Sequence, residues 1–181
     1  MKIQIISKKT KNLTKNEINF MNNERVKLWG KNAKINFKKE DSKGEFIFVK
    51  ENKKIKSFGM MKPVKIKLNN TEYKIMGIGR GMAIEKRKGW GKILNAARIL
   101  ELKRKGKTGI AFTSRHNIKF FESVGYKIKK NGIKKFRYRD PKTKELIYDP
   151  EGDMIYYEDE DKLVTKLLKS KKLAITDTNF W

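Results

Sequence analysis

Lys86-Arg87-Lys88-Gly89-Trp90-Gly91 is the segment best suited to chemistry on an anion. Its glycines let the backbone approach a ligand with no Cβ in the way. The amphipathic run that follows predicts a helix from about Gly89 to Lys105. The loop would then bring main-chain N–H groups and the positive end of a helix dipole to one point, which is a means of holding a pyrophosphate. Lys88 and Lys92 would add screened positive charge. On that helix Ile93, Leu94, Ala97 and Leu100 are expected to face inward, and Lys92, Asn95, Arg98 and Lys103 to face water.

Groups able to move a proton are fewer. The chain has one histidine, His116, and no cysteine. That composition removes disulfides, thiolate nucleophiles and a cysteinyl acyl-enzyme, and leaves no set of residues for a zinc cluster, so no metal is expected. Glu85 beside the loop, Glu72 and His116 are the candidate bases. Tyr126 and Tyr138 carry hydroxyls but suit packing better. Acids also gather in the C-terminal third at Glu151, Asp153, Glu158, Asp159, Glu160, Asp161 and Asp177. For Asp159 to Asp161, complementarity to the start of a following helix is the simpler explanation.

The elements that must position these groups are legible in part. Residues 2–6 read as a strand. Thr14-Lys15-Asn16-Glu17 is a capping box that opens a helix from Lys15 to Trp29. A weak strand is expected around Ile35, and a firmer one over Glu45–Lys50, with Phe46 and Phe48 on one face and Ile47 and Val49 on the other. Segments 54–68 and 71–80 form a hairpin-like pair turning at Asn69-Asn70, and the glycines late in the second arm mark a bulge or a ligand's approach. Beyond the central helix come a buried strand at Gly109–Phe112, a helix from His116 to Val124 and strands at Lys134–Arg139, Glu145–Tyr148 and Met154–Tyr157. A helix over Lys162–Ser170 and an apolar tail ending in Phe180-Trp181 follow, the tail packed against something. No linker, repeat or low-complexity tract interrupts 181 residues, so one domain, 1–181, is expected.

Composition narrows the function classes. A hydrophobic content of 38% argues for a folded chain, and no apolar run approaches the roughly 20 residues of a membrane span. A soluble, cytoplasmic protein is the expectation, as monomer or homodimer. Net charge is +26, with eight arginines among 46 basic residues. A solvated lysine coat accounts for this more simply than a nucleic-acid interface, because no recognition module accompanies it. Weak, non-specific association with nucleic acid is what the charge alone allows.

The order strand, basic glycine loop, amphipathic helix, buried strand and short helix ending in Gly-Tyr resembles the GNAT superfamily of acyl-CoA N-acyltransferases. Lys86-Arg87-Lys88-Gly89-Trp90-Gly91 matches the family's Arg/Gln-x-x-Gly-x-Gly/Ala pattern, with lysine in first place. Phe120-Phe121-Glu122-Ser123-Val124-Gly125-Tyr126 matches its later aromatic motif. The resemblance covers about residues 45 to 160. It implies an α/β (α+β) fold: a mixed, mostly antiparallel twisted sheet of about six or seven strands, splayed at its centre and flanked by helices. It implies acetyl-CoA as cosubstrate and a primary amine of a small molecule, amino sugar, polyamine or protein as acceptor, acetylated by direct attack. Cofactor contacts would fall at Met82, Ala83 and Ile84, at Arg87, Lys88, Gly89, Trp90, Gly91 and Lys92, and at Ser114 and Phe121.

The course from Gly152-Asp153 to Trp181 is similar to that of the aminoglycoside 2′-N-acetyltransferases, which implies substrate contacts at Arg80, Asn179 and Trp181, with the Trp181 carboxylate as a further base. Two departures stand out. Arg80 occupies the place of those enzymes' glutamate base, and Phe121 the place of the acid tyrosine. At an amine pKa of ~10 only about one molecule in a thousand is neutral at pH 7, so the missing base matters. A basic nucleic-acid- or ribosome-associated scaffold and a non-catalytic acetyl-CoA-binding module are the competing functions.

Overall fold

The computed structural model describes residues 2–140, 143–149, 151–158 and 161–178. Along the chain the strands are β1 (Ile3–Lys9), β2 (Glu45–Glu51), β3 (Lys54–Leu68), β4 (Thr71–Ala83), β5 (Gly109–Thr113), β6 (Lys127–Lys129), β7 (Phe136–Arg139), β8 (Leu146–Ile147), β9 (Asp153–Tyr157) and β10 (Ala174–Thr176). The α-helices are α1 (Lys15–Trp29), α2 (Phe37–Glu40), α3 (Trp90–Lys105), α4 (Ile118–Glu122) and α5 (Leu163–Lys169). The class is α/β, with a mixed, mostly antiparallel sheet and flanking helices. Seven of the described strands have four or more residues; β6, β8 and β10 are shorter. Contacts divide the chain into two compact units, Met1–Lys62 with Arg80–Ala97, and Pro63–Gly79 with Arg98–Trp181.

In the first unit β1, β2 and β3 pair antiparallel. Phe46, Ile47, Phe48 and Val49 are all buried, so β2 is covered on both faces as its unbroken apolar run implies. The capping box forms in full: Glu17 N–H donates to the Thr14 hydroxyl and Thr14 N–H to the Glu17 carboxylate. The strand expected around Ile35 is absent. Asn22 takes its place, its side chain accepting from Ile35 N–H at 2.9 Å and donating to Ile35 C=O at 3.0 Å. One amide side chain thus satisfies the backbone groups a neighbouring strand would have served. The next residue, Asn36, caps α2.

In the second unit the strand order is β6-β9-β5-β4-β3-β10-β7-β8. Its core gathers Val64, Ile66, Leu68, Ile75, Ile110, Phe136, Met154, Leu163, Val164 and Leu167. β10 lies antiparallel to β3 and parallel to β7, which accounts for the apolar run 173–175; the expectation for Phe180 and Trp181 lies outside the described residues. The strand expected from Lys134 begins at Phe136, because residues 132–135 form a 3-10 turn after left-handed Asn131. The helix expected from His116 opens as a 3-10 turn, Arg115–Asn117, ahead of α4. At α5 the acids act through specific bonds. Glu158 accepts from Thr165 N–H and hydroxyl, and Asp161 accepts from Leu163 N–H and the Thr108 hydroxyl.

The inward face of α3 differs from the amphipathic reading. Leu100 is 65% exposed, while Leu94, Asn95, Arg98 and Leu102 are buried. Asn95 tolerates burial by donating to its own helix, Nδ2 to Gly91 C=O at 2.9 Å. Leu102→Ala should therefore cost about 2–5 kcal/mol in denaturant unfolding, and Leu100→Ala no more than about 0.5 kcal/mol.

Candidate functional site

The first unit contains the loop. β4 ends at Ala83, and Ile84 N–H donates to Lys56 C=O at 2.9 Å, so that amide is already committed. Arg87 and Gly89 are both left-handed, at φ +60° and +81°. The Gly89 C=O then accepts from Lys92 N–H at 2.9 Å and Ile93 N–H at 3.1 Å, which starts α3. A Cβ on Gly89 would meet nothing within 4 Å; the glycine is required by conformation, and the space in front of it is open. No acidic residue stands in the first turn of α3, although acids are favoured there. Lys86, Arg87, Lys88 and Lys92 are all exposed. A helix start with no acid in its first turn, open space before Gly89 and exposed cations together fit an anionic phosphate group.

Trp90 anchors the loop from beneath. It is buried, its C=O accepts from the Ser57 hydroxyl at 3.0 Å, and Lys56 Nζ lies 5.8 Å from the ring centroid. Lys56 also pairs with Glu51 at 3.3 Å and with Glu85. The hydrogen bond from Lys56 holds the Glu85 carboxyl below the usual carboxylate range, and Lys88 adds to the effect. A carboxylate so held accepts a proton less readily than an ordinary glutamate.

Arg80 is the other charged member of this unit. It is left-handed, at φ +54°, inside β4, and marks the irregularity that the late glycines predicted. Its guanidinium is occupied: Nε donates to Asp41 Oδ2 at 3.0 Å and Nη2 to Glu40 Oε2 at 3.3 Å. Asp41 has no exposed side-chain surface, and its second oxygen lies 3.5 Å from buried Lys62 Nζ. Met82 is buried, while Ala83 and Ile84 are half-buried.

The second unit holds the remaining described candidates. β4 and β5 pair in parallel at Met76↔Gly109 and Gly77↔Ile110, whereas β5 continues beside β9 as far as Thr113↔Asp153. The β4–β5 ladder thus ends after two rungs. Ser114 and His116 are exposed, with Ser114 Oγ and His116 Nε2 3.4 Å apart. Phe121 packs edge-on against Phe120 and Tyr126. Burial pushes the Tyr126 hydroxyl up to about 12. Glu72 pairs with Lys65 at 3.1 Å. A cleft of about 970 Å³ is lined by residues that include Thr113, Ser114, Arg115, Lys134, Asp149 and Glu151. Asn179 and Trp181 lie outside the described residues.

Asp41, Lys62, Asp149 and the buried role of Arg98 escape a reading of the sequence. Nothing local distinguishes these charges from solvated ones. The one available signal is Asp41 directly following a short helix capped by Asn36. Among the described residues no three His, Cys, Asp or Glu side chains are grouped to hold a metal, and no helix is long and apolar enough to cross a membrane.

No family model and no curated protein sequence matches the chain. Solved structures do. The structure is similar to the GNAT family N-acetyltransferase YhbS from Escherichia coli in complex with CoA, with a TM-score of 0.62 at 11% identity over 97% of this chain and 89% of that one. Escherichia coli ElaA gives 0.58 at 12% identity, over 87% of this chain and all of that one. An acyl-CoA N-acyltransferase from Pseudomonas aeruginosa gives 0.57 at 11% identity with the same coverage. The fold is that of the GNAT acyl-CoA N-acyltransferases, and at these identities the likeness speaks for the fold alone.

Removing Asp41 would leave two cations without their buried counter-charge. Asp41→Ala should lower unfolding free energy by about 3–5 kcal/mol in a denaturant titration. Glu40→Ala, at the half-exposed end of the same network, should cost no more than about 1 kcal/mol.

Proposed function

We propose that this chain is an acetyl-CoA-dependent N-acetyltransferase acting on a primary amine of a small molecule or protein. The observation that carries the reading is the start of α3, where left-handed Gly89 faces open space before helix amides with no acid in the first turn. In this reading the main chain of Arg87 to Lys92 takes the pyrophosphate, apart from the Lys92 N–H already bound to Gly89 C=O, and the exposed cations Lys88 and Lys92 screen it. Met82 and Ala83 offer main-chain groups to the pantetheine amides; Ile84 can offer its C=O, since its N–H is bound to Lys56. Ser114 and Phe121 complete the proposed cofactor contacts. Bound acetyl-CoA would supply a thioester carbonyl open to attack by a neutral amine.

The chain's own part is to free that amine of its proton and to orient it. Glu85 is tied to Lys56 and so is a weak base in this geometry. His116, exposed after β5, remains as an acceptor, with water as the relay where it does not serve. Arg80, with its guanidinium engaged by Asp41 and Glu40, would hold an anionic acceptor group through exchange with exposed Glu40. An amino sugar is one acceptor class within the proposal, carried by the C-terminal resemblance. Asp149, Glu151 and Asp153 line the second unit's cleft together with Arg115 and Lys134, so three acids face two bases there and a cationic acceptor would meet local attraction despite the total charge.

Free CoA release from acetyl-CoA across aminoglycosides, spermidine and peptide N-termini tests the enzyme. Turnover with at least one amine is the expected result. Tight acetyl-CoA binding with no turnover would instead mark a non-catalytic binding module. Salt-sensitive retention of nucleic acid with no acetyl-CoA binding would mark a basic scaffold. Gly89→Asp should abolish measurable acetyl-CoA binding by calorimetry, because it strains a left-handed residue and places a carboxylate before the amides. Unchanged affinity would mean that the loop does not bind phosphate.

The pH profile tests Glu85. Its folded pKa is depressed, so it remains ionised down to a lower pH than a free glutamate, and any rate limb it governed would lie below about pH 4.3. The expected rising limb of kcat/KM lies above that and persists in Glu85→Gln. A limb that vanishes in that variant would make Glu85 the base after all.

A further inference from the structure

The mid-point of α3 holds a charge that the acetyl-CoA reading leaves unused. Arg98 is 2% exposed, in a helix whose other buried positions include Leu94, Ala97 and Leu102. Its Nη2 donates to the Gly79 C=O of β4 at 2.6 Å, a short, charge-assisted bond. Loss of water lowers its pKa to about 10, against 12.5 for a free guanidinium. Burying such a group is costly, and a leucine or methionine of similar volume is often as stable or more so. What a guanidinium adds over an apolar side chain is a planar fork of donors held in fixed directions.

The bond falls where β4 changes character. The parallel ladder to β5 ends at Gly77↔Ile110, two residues before Gly79. Left-handed Arg80 follows at once. β4 itself runs on to Ala83, but past that rung the backbone groups on its β5 side need other partners. Gly79 finds one in Arg98. On the β5 side, Gly109 is fixed as well: a Cβ there would overlap Leu102 Cδ1 and crowd Ile78 Cδ1. Tyr126, whose hydroxyl is buried and without a hydrogen-bond partner among the described residues, is electrostatically coupled to Arg98.

We infer that Arg98 is a positioning residue. It fixes the Gly79 carbonyl one residue before left-handed Arg80, and with it the start of the main-chain run that would present its N–H and C=O groups to the pantetheine arm. Filling the gap between hydrophobic layers would not require a charge; holding one carbonyl in a defined place does. The inference rests on the acetyl-CoA reading of the preceding subsection and adds to it a residue that touches no ligand.

The test uses Arg98→Met, which keeps the stem and removes the fork, Arg98→Lys, and Leu102→Ala as a control for packing in the same helix. Acetyl-CoA affinity by calorimetry and thermal midpoint are measured on each. Arg98→Met should bind acetyl-CoA at least about tenfold more weakly, with a midpoint no lower than that of Leu102→Ala. Arg98→Lys should recover part of the affinity. With an acceptor in hand, the KM for acetyl-CoA should rise while kcat changes little. Wild-type affinity in Arg98→Met overturns the inference. So does a loss of affinity in Leu102→Ala equal to that in Arg98→Met, because packing alone then accounts for both. If Arg98→Met does not fold, amide exchange decides in Arg98→Lys: faster exchange across residues 79–82 with weaker binding supports the inference, and unchanged exchange overturns it. Failure of the wild-type protein to bind acetyl-CoA is a separate outcome that removes the enzyme reading first.

Discussion

The β4–β5 ladder ends at Gly77↔Ile110, and three residues later Arg80 is left-handed; the main-chain groups offered to pantetheine follow that irregularity. A strand that kinks must place its freed carbonyls and amides somewhere. Here one buried charge meets a backbone carbonyl of β4, and another the side chain of the left-handed residue after it. Arg98 takes the Gly79 carbonyl in one unit, and Asp41 takes the Arg80 guanidinium in the other. Neither charge is what a stability optimum would select, since apolar groups of equal volume fill such positions at lower desolvation cost. Their presence is consistent with a strand shape that packing alone would not hold.

The sequence carried local signals well and non-local ones poorly. The capping box at Thr14–Glu17 and the Asn69-Asn70 turn between β3 and β4 are set by residues within one turn of each other, and both form as their spacing predicts. The glycine loop likewise has Gly89 in the left-handed region just before α3. Ile35 shows the opposite. Its apolar character suggests a strand, but Asn22, 13 residues earlier, meets its hydrogen bonds, and no local pattern encodes that. The face of α3 was misread for a related reason. Periodicity assigns Asn95 and Arg98 to water on polarity, whereas one bonds its own helix and the other a strand remote in sequence.

Charge gave the weakest guidance to the site. The excess of cations is visible at once in composition, yet the charges that shape this structure are few and paired. Asp41 binds Arg80, Lys56 binds Glu51 and Glu85, and Glu101 binds Arg104 and Lys105. A pairing of this kind is set by geometry after folding and has no signature in a count of 46 against 20. The same limit applies to Glu85. As a carboxylate next to the loop it reads as a base, but Lys56, 29 residues earlier on β3, makes it a reluctant one.

That reluctance bears on how such a site would work. At the two positions for which the motif resemblance implies a glutamate base and a tyrosine acid, this chain has Arg80 and Phe121, and a phenyl ring carries no proton to give. Phe121 is half-buried and meets the rings of Phe120 and Tyr126 edge-on, so packing accounts for an aromatic ring there but not for a hydroxyl. Tyr126 is no substitute, since a phenol pushed to about 12 by burial gives up its proton less readily than a free one. Proton transfer contributes roughly 10²–10⁴-fold to rates of this type, whereas positioning contributes more. Under the acetyl-transfer proposal, a chain with a left-handed residue inside β4 held by buried charges, but without the implied acid and base, would act chiefly by holding its donor and acceptor in place. For such a site the most favourable acceptor is an amine of low pKa, already neutral in a useful fraction before it binds.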